Sequence, residues 1–516
     1  MTVAPVLILL LSALLTWLTR NRHSRTQWVV ASVLGFGVWV FVLLLNPDRS
    51  SVLDLSIWQP EDLFQSPISL TIDAITWPLI YSTTTVLLAV ILTAATRPAA
   101  AQAGLRSFWF FYTALAVVAL MSANLLTVVI AWSMIDFATL LFLLSIAEER
   151  RDRRAIFIRA GINAVSVLLL VAAAIAAEIQ GVIQLDLGTT SAVGIMMLAT
   201  AATFRLGLIP LHFALPPIAP MRRGVGTLLR LYPPIIALAL LARVFTSELP
   251  QALRIVFFIA GTTGGLLGAL RWVLQIETVR ARPFFVLSLA SLGLLVATLV
   301  GEGSQVIVSV GVLLLLIGAV LSLFSQHTPS HRVIPILLSL LLLGLPFTPG
   351  NMYSAAVASP EIFLAAPVLS LIALVITALL AVGCFHLFFT PETAWTTGES
   401  LARVMFNVGL VLPVLAAIGV GVWRLQADPL SAGIYSSLAA LLAVLFFVAF
   451  RRLSFDRVQQ VRQTFQRFEP DRMYELVWSS FQRLLVGLRG FGELLEGSSG
   501  MLWLFVFIIL ALFVIQ

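Results

Sequence analysis

Apolar runs of about twenty residues, separated by short polar segments, recur along nearly all of this 516-residue chain. A helix needs about 20 such residues to cross the hydrocarbon of a bilayer. Only helices and closed barrels satisfy their backbone groups in lipid. The ten-residue alternation of barrel strands is absent, so the fold class is all-α and polytopic. Sixteen spans are predicted near 3–19, 27–45, 73–96, 107–122, 124–146, 155–177, 191–216, 224–242, 255–274, 283–300, 304–325, 333–350, 361–389, 403–423, 431–450 and 500–516. Composition agrees: the chain is 60% hydrophobic and 11% charged, against about 25% charged in soluble domains. A water-soluble globule, a disordered chain and a nucleic-acid partner are disfavoured.

All 31 basic residues are Arg, and the formal net charge is +7. With the N-terminus placed outside, 25 arginines fall on inner loops and their flanks. Four, Arg49, Arg243, Arg254 and Arg424, fall on outer loops, and Arg205 and Arg230 lie within spans. This is the bias expected of cytoplasmic loops, and an error of one span would scramble it. The first apolar run precedes Arg20, Arg22 and Arg25, which reads as an uncleaved first span. Sixteen spans then put both termini outside. One cysteine, Cys384, leaves no internal disulfide, thiolate zinc site or iron–sulfur cluster held by this chain alone.

Ionisable groups inside spans are expensive, which makes them the first functional candidates. Span five contains Asp136, span seven Arg205 and His212, and span eight Arg230. Asp73 opens span three, Glu361 opens span thirteen and His386 lies near its end; spans ten to twelve contain none. Arg205 needs a partner, and Asp136 is the best candidate. The pair reads equally as a gate on a polar path or as a structural ion pair pinning two helices, because Arg does not relay its proton. Prolines interrupt two spans, at Pro210 in span seven and at Pro346, Pro349 and Gly350 in span twelve. Two interrupted helices five spans apart point to inverted repeats with a site at each break.

His327 and His331 flank Thr328-Pro329-Ser330 on an inner loop, where two ligands do not make a zinc site and a solvated loop is expected. Between Arg451 and Ser499, Phe455, Val458, Val461, Phe465 and Phe468 form an approximate helical stripe. A second stripe follows Pro470, from Met473 to Leu485. An amphipathic helix on the inner membrane surface and a brace along neighbouring helices or subunits both fit. No phosphate loop, nucleophile elbow or HExxH motif is present, so no active site and no cofactor are expected.

In span seven the register Arg205-Leu206-Gly207-Leu208-Ile209-Pro210-Leu211-His212, followed by Gly226-Thr227-Leu228-Leu229-Arg230, resembles a known pattern. It is similar to K-S-A-Q-x-P-F-H and S-A-L-L-H of the antiporter-like membrane subunits of respiratory complex I, Mrp-type sodium/proton antiporters and membrane-bound hydrogenases. Gly344-Leu345-Pro346 through Ser354 resembles the family's span-twelve G-x-P-P-x-x-G-F-F-S-K. Ile72-Asp73-Ala74 matches its span-three opening, and Trp132-Ser133 its span-five W-E. The longest members have sixteen spans with a lateral amphipathic segment before the last, as here.

The resemblance implies a row of buried Glu, Lys and His forming a proton path. This chain departs from it. The span-five Glu position is Ser133, with Asp136 about one turn on. The span-seven Lys position is Arg205, the span-eight His position Arg230, and the span-twelve Lys position Ser354. The H-x-F-F-K-like element is replaced by the apolar run Val310–Gly318. A proton wire needs groups that exchange protons near working pH.

The resemblance thus implies a divergent subunit with a weakened proton path in its second half. Its partners would be other membrane subunits of a respiratory, hydrogenase or Mrp-like complex, in the lipid bilayer of an energy-transducing bacterial inner or plasma membrane. A non-conducting structural subunit, a non-catalytic part of a redox-driven translocase, is the alternative. An unrelated secondary carrier is a third, weaker one. The expected organisation is residues 1–106 (spans one to three), 107–246 (first repeat), 247–390 (second repeat), 391–452 (spans fourteen and fifteen), 453–499 (amphipathic segment) and 500–516 (last span).

Overall fold

The computed structural model describes residues 2–47, 52–55, 67–96, 104–147, 149–179, 192–208, 223–245, 249–274, 278–300, 303–359, 362, 366–395 and 399–424. It also describes 429–452 and a few positions between 479 and 486. The amphipathic segment, the last span, Pro210, His212 and Glu361 lie outside the described residues. The chain divides into two compact units, 1–458 and 459–516, and every helix named below belongs to the first.

The described residues form an all-helical polytopic membrane protein. In chain order the helices are α1 Ala4–Leu18, α2 Ser24–Leu43, α3 Thr76–Ala94, α4 Leu105–Met121, α5 Leu125–Ile146, α6 Arg150–Ile179, α7 Ala192–Leu206 and α8 Val225–Val244. Then come α9 Gln251–Leu274, α10 Thr278–Ala297, α11 Gly303–Leu323, α12 Val333–Leu342, α13 Pro349–Ala358, α14 Pro367–His386, α15 Ser400–Trp423 and α16 Pro429–Arg452. Ten of these elements are long and apolar enough to cross a membrane, and shorter apolar helices accompany them. The polar stretch before α3 adds an unexpected antiparallel pair, β1 Leu53–Leu55 with β2 Ile68–Leu70.

Local chemistry sets several helix starts. The Asp73 carboxylate accepts from the amides of Ile75 (3.0 Å) and Thr76 (2.8 Å), capping α3. Asn124 caps α5 by accepting from the Thr127 amide at 2.9 Å. Pro349 and Pro367 sit in the first turns of α13 and α14, where a missing N–H costs nothing.

The core lies on α3 and α11, every residue of which is buried from Val306 to Leu323 in α11 and throughout α3. Helix α3 packs on α2, α4, α8, α11 and α15, and α11 packs on α3, α8, α10, α13 and α15. Indole donors tie α2 to α3: Trp28 to the Ile91 carbonyl (2.9 Å) and Trp77 to the Val42 carbonyl (3.1 Å). Leu7, Leu11, Leu14 and Leu18 on α1, and Ile434, Leu438, Leu441 and Leu445 on α16, face outward. Such stripes suit lipid and would be a liability in water.

Around the core, α4 lies against α5 and α8, α6 against α5 and α7, and α7 against α8. Likewise α9 lies against α10 and α14, α10 against α11, α11 against α13, and α12 against α14.

Helices α9 and α10 approach closely because Gly261, Gly264 and Gly268 line the seam, the small-residue packing that lets membrane helices meet backbone to backbone, while Gly265 faces Ile376 of α14. A Cβ at position 268 would lie 3.0 Å from the Phe284 carbonyl oxygen and 3.0 Å from the Ser288 nitrogen, atoms that cannot turn aside. Gly268→Val is therefore expected to destabilise the bundle by about 1–3 kcal/mol. A lowered thermal midpoint in detergent, against an unchanged one for Gly37→Ala where nothing lies within 4 Å, checks this.

Candidate functional site

Asp136 projects from the middle of α5 and Arg205 from the last turn of α7. The Arg205 Nη2 donates to Asp136 Oδ2. Asn163 on α6 donates to the other carboxylate oxygen at 2.9 Å. The guanidinium carbon of Arg205 lies 4.1 Å from the centre of the Trp132 ring, one turn before Asp136 on α5. The Arg205 side chain has 0% exposure and that of Asp136 17%. An unpaired Arg at this depth costs at least about 2.5–3.5 kcal/mol on insertion scales, so the carboxylate and the aromatic face together make its burial tolerable. Ser133, at the family's acid position, is exposed and donates to the Val129 carbonyl of its own helix (2.7 Å).

Beside this pair lies a cavity of about 90 Å³. Its walls carry Arg159 and Asn163 of α6, Arg205 of α7, Arg230 of α8, Arg282 of α10 and Ser322 of α11. Starts of α6, α8 and α10 meet ends of α7 and α11 here, as expected for helices that alternate in direction. Sequence position alone puts Arg159 and Arg282 on loop flanks. The signal that places Arg159 more accurately is its spacing of four from Asn163, which puts both on one helix face inside an apolar run.

Two separate hydroxyl pairs lie deeper in the bundle than Asp136. Thr139, one turn beyond Asp136, donates to Tyr112 (3.2 Å), whose ring stacks on Tyr232 at 5.8 Å. Tyr232 shares a hydrogen bond with Thr113 (3.1 Å) and donates to the Thr83 carbonyl (3.1 Å).

The two interrupted spans share a local sequence. Leu206-Gly207-Leu208 ends α7 and Leu343-Gly344-Leu345 ends α12, and both glycines take positive φ, +67° and +77°. The residue preceding each Leu-Gly-Leu is Arg205 in the first and Leu342 in the second. The break between α12 and α13 falls at 343–348, with Pro346 inside it and Phe347 at φ +63°. Pro349 and Gly350, expected within the break, begin α13 instead, because a proline ring suits a helix's first turn. Open carbonyls at the break find donors: Tyr353 donates to Leu342, and Ser436 of α16 to Gly344 at 2.8 Å. Thr348 donates to the Leu345 carbonyl as well, at 2.6 Å.

The remaining ionisable residues have structural surroundings. Asp73 pairs with Arg243 at the end of α8 (2.9 Å). His386 packs beside Phe447. The His327 loop is solvated only in part: Pro329 and Ser330 are exposed, whereas His331 is buried and donates to Asn407 (2.8 Å), and His327 stacks on Trp395 at 4.2 Å. Aromatic residues from distant parts of the chain, Trp395 and Phe406, cover it. Among the described residues no cluster could hold a metal ion.

Two measurements test these contacts. Burial lowers the His327 imidazole below its ordinary 6.5, with the charges of His331 and Arg223 adding to the effect and hydrogen bonding to Thr393 opposing it. The unfolded chain then binds this proton before the folded one does, so stability is complete above pH 6.5 and declines as pH falls through the window below it. His327→Gln should flatten that acid-side decline in a pH series of thermal midpoints. Arg205→Leu strands the Asp136 carboxylate and should cost about 3 kcal/mol, near the lower limit for a buried pair. A double variant with Asp136→Asn should lose less than the two single changes combined, measured as a double-mutant cycle.

No family model matches this chain, and no curated protein matches it. Among solved structures it is similar to a chain in the Mrp complex from Dietzia sp. DQ12-45-1b, at 14% identity and a TM-score of 0.70, covering 99% of this chain and 62% of that one. It therefore spans about three fifths of that chain's length. It is similar to a chain of respiratory complex I from Thermus thermophilus with bound NADH, at 17% identity and a TM-score of 0.65, covering 86% and 100%. It is also similar to a chain of the membrane-bound sulfane sulfur reductase, an archaeal respiratory membrane complex, at 13% identity and a TM-score of 0.67, covering 99% of each. At these identities the likeness is one of fold, and the fold is the one that the sequence motifs resemble: that of membrane chains in multisubunit Mrp and respiratory complexes.

Proposed function

We propose that this chain is a membrane subunit of a multisubunit, redox-driven or Mrp-like ion-translocating complex, in which its first half retains a charge pair and its second half does not transfer protons. The observation that carries the reading is the contrast between the two breaks. Asp136 and Arg205 meet beside the first, whereas Leu342 replaces the cation at the second, where the hydroxyls of Tyr353, Ser436 and Thr348 donate to carbonyls. The matching neighbour relations of α4–α8 and of α9–α14 support two repeats, residues 107–246 and 247–390. Flanking them are 1–106, 391–452, the amphipathic 453–499 and the last span, 500–516.

Ion movement in the first half runs past Asp136, Arg205, His212 and Arg230, with Pro210 breaking its helix; Pro346 marks the inactive counterpart, and Pro349 and Gly350 open the helix after it. The guanidiniums supply fixed charge and Asp136 the exchangeable proton, since Arg keeps its own. The partners are neighbouring membrane subunits, and the setting is an energy-transducing bacterial membrane with both termini outside. A second reading, a structural subunit that fills an antiporter-like slot, is favoured by the same fixed charges: a dry second half and a tightly held ion pair suit a brace.

Ion flux in proteoliposomes of the assembled complex separates the two. Asp136→Asn should lower flux severalfold without loss of assembly, and wild-type flux in that assembled variant sinks the conducting reading. A bracing subunit predicts instead that deleting 455–495 disperses the complex while Asp136→Asn combined with Arg205→Gln keeps coupled activity.

A further inference from the structure

The cavity beside the charge pair has more positive charge on its walls than the described residues balance. Arg205 is neutralised by Asp136, which does not line the cavity. Arg159 and Arg230 line it with no carboxylate at salt-bridge distance among the described residues; their charges act on each other, and the charge of Asp136, already held by Arg205, also reaches Arg159. No described lining residue is a carboxylate. A guanidinium cannot shed its charge to relieve this crowding.

Hydrogen bonding points the same way. Arg205 Nε and Nη1 and Arg230 Nη1 are buried with no acceptor among the described residues. A buried donor left unpaired carries its full desolvation penalty. Arg205 itself is only 5% exposed, so bulk water does not serve it. Arg230 is the sixth residue of α8 and Arg282 the fifth of α10, so the positive ends of two helix dipoles lie within two turns. Asn163 and Ser322 add neutral polar groups to the wall. The space, about 90 Å³, is far below the roughly 300–1,000 Å³ of pockets for drug-sized ligands.

We infer that this cavity binds an oxyanion, a phosphate or carboxylate group, held by Arg159, Arg205 and Arg230. The planar fork of a guanidinium matches two such oxygens, and three forks converge on one small space. The occupant enters either as a free anion or as the headgroup of an anionic lipid. The inference rests on the placement of these arginines and is independent of whether the chain conducts ions.

The test is a thermal-unfolding titration of the full chain, purified, delipidated and placed in phosphatidylcholine nanodiscs. Sodium phosphate is varied at constant ionic strength set by sodium chloride; a parallel arm replaces part of the phosphatidylcholine with phosphatidylglycerol. A saturable rise in midpoint with phosphate identifies a free anion, and a rise with phosphatidylglycerol alone identifies a headgroup. Either supports the site if Arg230→Gln raises the half-saturating concentration tenfold or more while Arg230→Lys keeps most of the response. Arg159→Gln provides a second charge removal should the Arg230 variant fail to fold. The absence of a saturable rise in the unaltered protein in both arms overturns the inference, as does an unchanged half-saturation in folded Arg230→Gln or Arg159→Gln.

Discussion

A cation that cannot lose its proton, placed where water is scarce, must be faced by oxygen or by an aromatic ring. Arg205 meets that requirement with Asp136 and Trp132, one turn apart on α5. The pair joins α5 to α7, and Asn163 brings in α6. Three helices are thus oriented by one guanidinium, and the cavity that also touches α8, α10 and α11 opens beside them. Lysine at the same position could be discharged by burial; arginine cannot, which turns a titratable site into a permanent electrostatic fixture.

The second interruption shows the other way to build irregular backbone in a membrane. Its freed carbonyls are met by hydroxyls, Tyr353 from the adjoining helix and Ser436 from α16. Helix α11, buried from Val306 to Leu323, packs on α8 of the first half and α10 and α13 of the second and has no ionisable side chain over that length. Gly207 and Gly344 both take positive φ just past a helix end, but the residue two before is Arg205 in one and Leu342 in the other.

Much of this is legible in the sequence because it is local. Helix type follows from the length of each apolar run. That Arg205 needs a carboxylate, with Asp136 as the candidate, follows from the cost of a lone charge. Other features resist sequence reading. Arg159 and Arg282 resemble loop-flank residues, since distance from a span end says nothing of which neighbouring helix they will face. The packing of the His327 and His331 rings is not legible, since Trp395 and Phe406, which contact both, lie more than sixty residues away.

What the sequence alone determined is the all-helical, many-span character of the chain and the approximate place of most described helices, because hydrophobic length and backbone hydrogen bonding act within a single segment. Tertiary structure decided which charges share a space: that Asp136 closes on Arg205, and that Arg159, Arg230 and Arg282 gather around one cavity. Helices dozens of residues apart meet through packing of small and large side chains, and the same apolar pattern is compatible with many such arrangements.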